Sequence, residues 1–277
     1  MPISPEIAAH CTDVVRRLDP DRYFADLFAP AEARPHLFAL HAFNAEISRV
    51  REIVSEPLPG EIRLQWWRDA LRTGEGGGHP IAGALVDTIG TFNLPVPTFE
   101  ALLEARTFDL YNDPMPDRAT FEGYAGDTAS VLFQLAAIIL AKGGDPGTAD
   151  AAGHGGVAWS LTGQLRALPI SARRKQLFLP KDSLDARGVD LEDVFASRSS
   201  PAILAALADL RALAREHLAK SRAATPPASA VAFLPLALVE PYLRKMEKPG
   251  YDPFSAPIDL PQWRKQWILW RAARGAS

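Results

Sequence analysis

Apolar residues recur three and four positions apart through almost the whole chain, and nowhere is the alternation of a half-buried strand sustained. That pattern confines the chain to helices packed on helices. Ser4 before Pro5 supplies a cap and a first-turn proline, opening a helix with Ile7, Cys11, Val14 and Leu18 on one face. Pro35 suits the first turn of a longer helix carrying Leu40, Phe43, Ile47, Val50 and Val54, the seam of a bundle. The same spacing predicts helices over 61–73, 80–92, 98–112, 118–142 and 149–167, the last ended by Pro169. Ser200-Pro201 opens another, with Ile203, Leu204, Leu207, Leu210 and Leu213 facing inward, and two more cover 228–247 and 261–274. Leu177-Phe178-Leu179-Pro180 is too short to carry a sheet. The expected fold is all-α, one domain over residues 1–277.

Charge and cysteine content narrow the function classes. A net charge of −3 gives no basic excess for a nucleic-acid partner. Cys11 is the single cysteine, which excludes a disulfide framework and a cysteine metal site and fits a reducing compartment. The opening MPISPEIAAHC lacks a basic segment followed by an apolar run, so no secretory signal is expected. Val131 to Ala141, interrupted by Gln134, is too short to span a bilayer and reads as a core helix. The expected location is cytoplasmic, with peripheral contact at the inner membrane.

Four features bear on chemistry. Asp109 and Asp113 form the one Asp-x-x-x-Asp pair, the spacing that places two magnesium-binding carboxylates on one helix face. Pro114 ends a helix there, and a lone acidic pair also reads as a solvated face. Arg166, Arg173, Arg174 and Lys175 cluster at the end of one helix, either as an anion clamp or as a solvated basic turn facing the helix dipole. Trp263, Trp267 and Trp270 share a face flanked by Arg264, Lys265, Arg271 and Arg274. That face suits a membrane interface, or it packs onto the body of the protein. His41 and His79 lack a second ligand at metal spacing and read as packing and hydrogen-bonding groups.

Several segments, in order, resemble the squalene/phytoene synthase family. They are Arg22-Tyr23-Phe24-Ala25, Arg34, Leu40-His41-Ala42-Phe43, Gln65-Trp66-Trp67-Arg68 and His79-Pro80-Ile81 with Ala84-Leu85. Leu161-Thr162, Leu165-Arg166, Ala172-Arg173-Arg174 and Phe178-Leu179-Pro180 complete the set. The resemblance implies the isoprenoid synthase fold, a helical bundle around a central cavity with two aspartate-rich motifs facing across it. Aligned on Phe43, the first motif falls on Ser48-Arg49-Val50-Arg51-Glu52, where active members carry aspartates at 48 and 49 and an acid at 52. Aligned on Leu165-Arg166, the second falls on Ala167 to Ser171, with Ala167 and Ser171 in aspartate positions. Of the ligands implied, only Glu52 remains.

Losing those carboxylates removes the magnesium cluster that neutralises a departing diphosphate. The expectation is therefore no catalytic residue, no metal site and no cofactor. Arg51, Arg166, Arg173 and Arg174 remain as a clamp for an isoprenoid diphosphate or a lipid. Phe43-Asn44-x-Glu46, Ser55-Glu56, Arg63-x-Gln65-Trp66-Trp67, Leu165-Arg166-Ala167-x-Pro169 and Arg173-Arg174-Lys175 resemble a non-catalytic branch, the assembly factors of respiratory complex I. That likeness implies a complex I subunit or assembly intermediate as partner. The alternative is an active head-to-head prenyl transferase that uses magnesium.

Overall fold

The computed structural model describes residues 3–275, and all regular structure among them is helical. Ser4 caps α1 (Pro5–Leu18): its Oγ accepts from the Ile7 N–H at 3.3 Å. Asp19 caps α2 (Pro20–Asp26) the same way, accepting from the Arg22 N–H at 3.1 Å. The chain continues through α3 (Arg34–Ser48), α4 (Val50–Ile53), α5 (Pro57–Thr73), α6 (Pro80–Phe92) and α7 (Val96–Ala105). A 3-10 turn over Arg106–Leu110 leads to α8 (Arg118–Ala125), which a π-turn at Gly126–Ser130 joins to α9 (Val131–Leu140). The longest helix is α10 (Ala149–Arg173); short α11 (Lys181–Asp185) and α12 (Leu191–Phe195) lead to α13 (Pro201–Ala224). A 3-10 segment over Pro227–Leu238 precedes α14 (Val239–Lys245) and α15 (Gln262–Gly275).

Helix α10 is the axis of the bundle, packed on α13 along one side and on α9 and the π-turn along another. Gly156 permits that second approach, because a Cβ there would collide with the backbone of Ser130. Cys11 is fully buried in this core, and burial pushes its thiol up to about 12, so it packs rather than reacts. Arg118–Leu140 is long and apolar enough to cross a membrane by length and composition, but 61% of its apolar window is buried inside the protein. Its apolar length serves the core.

Four expectations are corrected. Pro169 does not end its helix: it lies buried inside α10. An internal proline costs roughly 3 kcal/mol, and the long α10–α13 contact outweighs that loss. The seam helix over 35–54 breaks at Arg49, whose backbone leaves the helical region (φ −100°, ψ 3°) between α3 and α4. The spans 98–112 and 228–247 are part 3-10, the second containing Pro235, which has no N–H to give an α-helix. Leu204 does not face inward. It is 41% exposed, one step around the helix from the buried stripe of Ile203, Leu207 and Leu210.

Candidate functional site

The break between α3 and α4 and the last three turns of α10 face each other across a cavity of about 220 Å³. Gln164, Ala167, Ser171 and Arg174 recur at three and four along α10, so one face of that helix forms one wall. Ser48, Arg51 and Glu52 form the other, and the 3-10 turn closes the base with Arg106 and Asp109. The two motif segments expected from sequence therefore meet, with Glu52 Oε1 3.9 Å from Arg174 Nη1.

Their chemistry does not fit a magnesium cluster. Ser48 Oγ donates to the Ala45 carbonyl at 3.3 Å and Ser171 Oγ to the Leu168 carbonyl at 3.3 Å, so both hydroxyls serve their own helices. Glu52 is held by Arg49 at 2.8 Å. Asp109 pairs with Arg106 at 3.0 Å and accepts from the Tyr124 hydroxyl at 2.6 Å. Asp113 lies beyond the 3-10 turn in irregular, exposed chain, so the Asp109/Asp113 pair does not share a helix face. Among the described residues no three His, Cys, Asp or Glu side chains gather at metal-binding distance. Magnesium needs near-octahedral oxygen ligation, and two carboxylates already paired with arginines do not supply it.

What the cavity does hold is positive charge with spare donors. Arg106 Nη1 donates to Asp109 and to the Tyr124 oxygen (3.0 Å), while its Nε is buried with no hydrogen-bond partner. Arg51 Nη1 donates to the Val54 carbonyl at 3.1 Å, and its Nε is likewise buried and unpartnered. Burial pushes the Tyr124 phenol well above its ordinary range, so it stays neutral and donates to Asp109. Burial alone would pull Arg106 down, but the Asp109 charge and the hydrogen bonds to Asp109 and the Tyr124 oxygen outweigh that pull and raise it. Arg174 stands at the mouth, its side chain 46% exposed.

A smaller chamber of about 140 Å³ continues inward and shares Arg106, Tyr124 and Gln164 with the outer one. Arg22 also lines it, with its guanidinium 5.3 Å from the centre of the Trp159 ring and paired to Asp19 at 2.7 Å.

The four-arginine clamp divides. Arg51 and Arg174 line the cavity; Arg166 and Arg173 do not. Arg166 donates through Nε to the Ile258 carbonyl at 2.9 Å, pairs with Asp21 at 3.3 Å and Asp259 at 3.4 Å, and lies 3.6 Å above the Tyr242 ring. Arg173 is exposed at the end of α10. The clamp relied on a helix break at Pro169 to turn Arg173 and Arg174 back toward Arg166; with the helix intact, these three point around its circumference. Sequence reading missed Arg106 and Tyr124. Arg106 stands three residues before Asp109 and was legible as its partner, whereas Tyr124 arrives from another helix and left no local signal.

The tryptophan face points outward. Trp263, Trp267 and Trp270 are 71%, 53% and 38% exposed, Trp267 stacks on Trp270 at 5.1 Å, and Arg274 lies 4.2 Å from the Trp270 ring. Packing onto the body falls instead to Leu269 and Lys265, which is 2% exposed and pairs with Asp21 at 2.8 Å and Asp259 at 2.7 Å. The histidines are packing groups: His41 bonds Asp26 at 2.7 Å, and His79 lies between Trp66 and Trp67 beside Glu46.

Comparison with known proteins matches residues 15–271 to the squalene/phytoene synthase sequence profile. The human NADH dehydrogenase (ubiquinone) complex I assembly factor 6 is 30% identical, over 93% of this chain and 82% of its own length. A phytoene synthase of Thermus thermophilus is 29% identical, over 90% of this chain and 86% of its own. Among solved structures, a dehydrosqualene synthase in complex with ligand shares the fold, with a TM-score of 0.84 at 17% identity over 98% of this chain and 96% of that one.

Proposed function

The chain belongs to the squalene/phytoene synthase family, and we propose that within it this protein serves the assembly of respiratory complex I and does not condense prenyl diphosphates. One observation carries this reading: the two motif segments meet across the cavity, yet present Ser48, Ala167 and Ser171 where carboxylates are needed, and hold Glu52 and Asp109 in arginine pairs. Without a cluster to neutralise it, a diphosphate leaves too slowly for turnover, each ~1.4 kcal/mol of lost stabilisation being a factor of ten in rate. The similarity to a complex I assembly factor supports the assembly role. Deleting the gene should lower NADH:quinone oxidoreductase activity in membranes, and restoring it should recover that activity. Farnesyl diphosphate incubated with the protein, magnesium and NADPH should give no squalene, dehydrosqualene or phytoene; product at ordinary enzyme turnover would overturn the proposal and favour the prenyl transferase.

Two finer points belong to the same reading. The cavity binds a phosphate-bearing isoprenoid or lipid without metal, using the spare donors of Arg51 and Arg106 and the charge of Arg174. The protein works in the cytoplasm against the inner membrane, which it meets through Trp263, Trp267 and Trp270, flanked by the exposed Arg264, Arg271 and Arg274. Flotation with vesicles containing anionic phospholipid should be lost when the three tryptophans are replaced by alanine. Equal flotation of that variant would remove the membrane contact and leave the assembly role standing.

A further inference from the structure

On the far side of α3 from the central cavity, α1, α4 and α5 border a second hollow of about 370 Å³. Its chemistry is amphipathic. Leu18 and Ile53 line it together with Arg17, Arg49 and Arg63. Leu58, Ile62 and Trp66 run along α5 at i, i+4 and i+8, a stripe beside the Arg63 and Trp67 positions that face the hollow. Outside the tryptophan face of α15, the three most exposed large apolar side chains among the described residues are Leu58 (65%), Ile62 (62%) and Ile53 (58%). Ile53 lines this hollow, and Ile62 and Leu58 belong to the neighbouring exposed stripe of α5. Apolar exposure so concentrated marks an interaction surface rather than scattered surface residues.

The charge around it is one-sided. Arg17 and Arg49 are engaged only by surface partners within their own helical turns, Asp13 and Glu52, weak pairs that an incoming carboxylate exchanges readily. Arg63 is exposed, and the acid that feels its charge is Glu46 in the same lining. His10 and His79 add two further nitrogen bases, and His79 Nδ1 is buried without a hydrogen-bond partner. Glu46 is the single acid in the lining. Glu46 and Arg63 also belong to the segments that set this chain beside the assembly-factor branch, and neither touches the central cavity.

We propose that this groove is the docking site for an amphipathic helical segment of a partner protein with acidic residues along its polar edge. An apolar helix face laid along Ile53, Ile62 and Trp66 sends anchor side chains into the hollow, and its flanking carboxylates meet Arg17, Arg49 and Arg63. The groove is concave and cation-rimmed, which suits a helix better than a flat bilayer. Helix α15 packs chiefly on α2 and the 3-10 segment over Pro227–Leu238, neither of which lines this hollow, so the surface is distinct from the tryptophan face. The inference is independent of any ligand of the central cavity, the two sites sharing only the Arg49–Glu52 pair.

The test is site-specific photo-crosslinking in cells that produce the full chain from its own gene. The crosslinker p-benzoylphenylalanine replaces Ile53 or Ile62, with Leu204 on α13 as the exposed control. Both groove positions should crosslink to one segment of one protein, helical in pattern and acidic along one edge, and the control should not. A synthetic peptide of that segment should bind the purified protein, R49E/R63E should weaken it at least tenfold, and lysines in place of the peptide's acids should restore binding to that variant. Because Arg49 and Arg63 are exposed, the double variant should melt with the parent, which separates lost docking from lost folding. Crosslinks to lipid, to a second copy of this chain or to a segment without acids would overturn the proposal. So would equal labelling from Leu204, no crosslink from either groove position, or indifference to the charge reversal.

Discussion

Arg106 and Arg166 are both largely buried, both charged and both close to α10, yet they are built for different work. Every direction of the Arg166 guanidinium is taken: by the Ile258 carbonyl, Asp21, Asp259 and the Tyr242 ring. Arg106 pairs with Asp109 and Tyr124 but keeps a buried Nε without a partner beside a cavity, and Arg51 across from it does the same. A saturated arginine joins elements together; an arginine with an unmet donor in a hollow is ready for an anion. The difference separates structural from ligand-facing cations where composition alone counts them together.

The largest effect should come from breaking the saturated side. Lys265 and Asp21 are 2% and 5% exposed, and removing one partner of a buried ion pair leaves the other charge uncompensated. Lys265→Ala should therefore destabilise the protein by about 3–5 kcal/mol, the lower end being favoured because Arg166 still contacts Asp21. The same change should release α15, read as early cleavage near residue 262 in limited proteolysis. A melting temperature equal to the parent's would mean that Leu269, not charge, holds that helix.

Arg51→Ala should do the reverse. It removes one hydrogen bond to the Val54 carbonyl, about 1 kcal/mol of stability. Affinity for farnesyl diphosphate, measured calorimetrically with EDTA present, should fall about tenfold or more, the weight of one charge-assisted contact in a partly dry site. Undiminished affinity would move the ligand away from this cavity, and binding that appears only with magnesium would contradict the donor set.

Much of this contrast was hidden in the sequence for a physical reason. Helix existence is local: Ser4, Asp19 and Ser200 cap their helices through bonds to the next turn, and apolar spacing marks each seam. The motif segments were locatable from short runs around Phe43 and Leu165. The partner of a buried charge is not local. Arg166 reads as a basic-turn residue until the fold brings Asp21 and Asp259 to it, and Lys265 reads as one more cation on the tryptophan helix until the same acids bury it. Spacing put three tryptophans on one face, but only the anchoring of Lys265 decides that this face turns outward. Pro169 misled because local preference was outvoted by packing along α13.

The smallest expected effect is the sharpest cut between the two kinds of arginine, because it concerns neighbours in sequence. Arg173 and Arg174 both end α10 and both are exposed. One residue is a rotation of about 100° around a helix, and that rotation sends them to different surroundings. Arg173 stands seven positions after Arg166, hence on the Arg166 side, and is absent from the cavity lining, whereas Arg174 lines the cavity mouth 3.9 Å from Glu52. Arg173→Ala should change stability by under ~0.5 kcal/mol, as an exposed substitution does, and should leave farnesyl diphosphate affinity and complex I activity untouched. Arg174→Ala should be equally silent in melting but should weaken the ligand, by less than Arg51→Ala because an exposed guanidinium is screened by water. If both variants bind alike, α10 does not present distinct faces here. If Arg173→Ala is the weaker binder, the end of the helix unwinds beyond Pro169 when ligand arrives, and the continuous α10 belongs to the ligand-free protein alone.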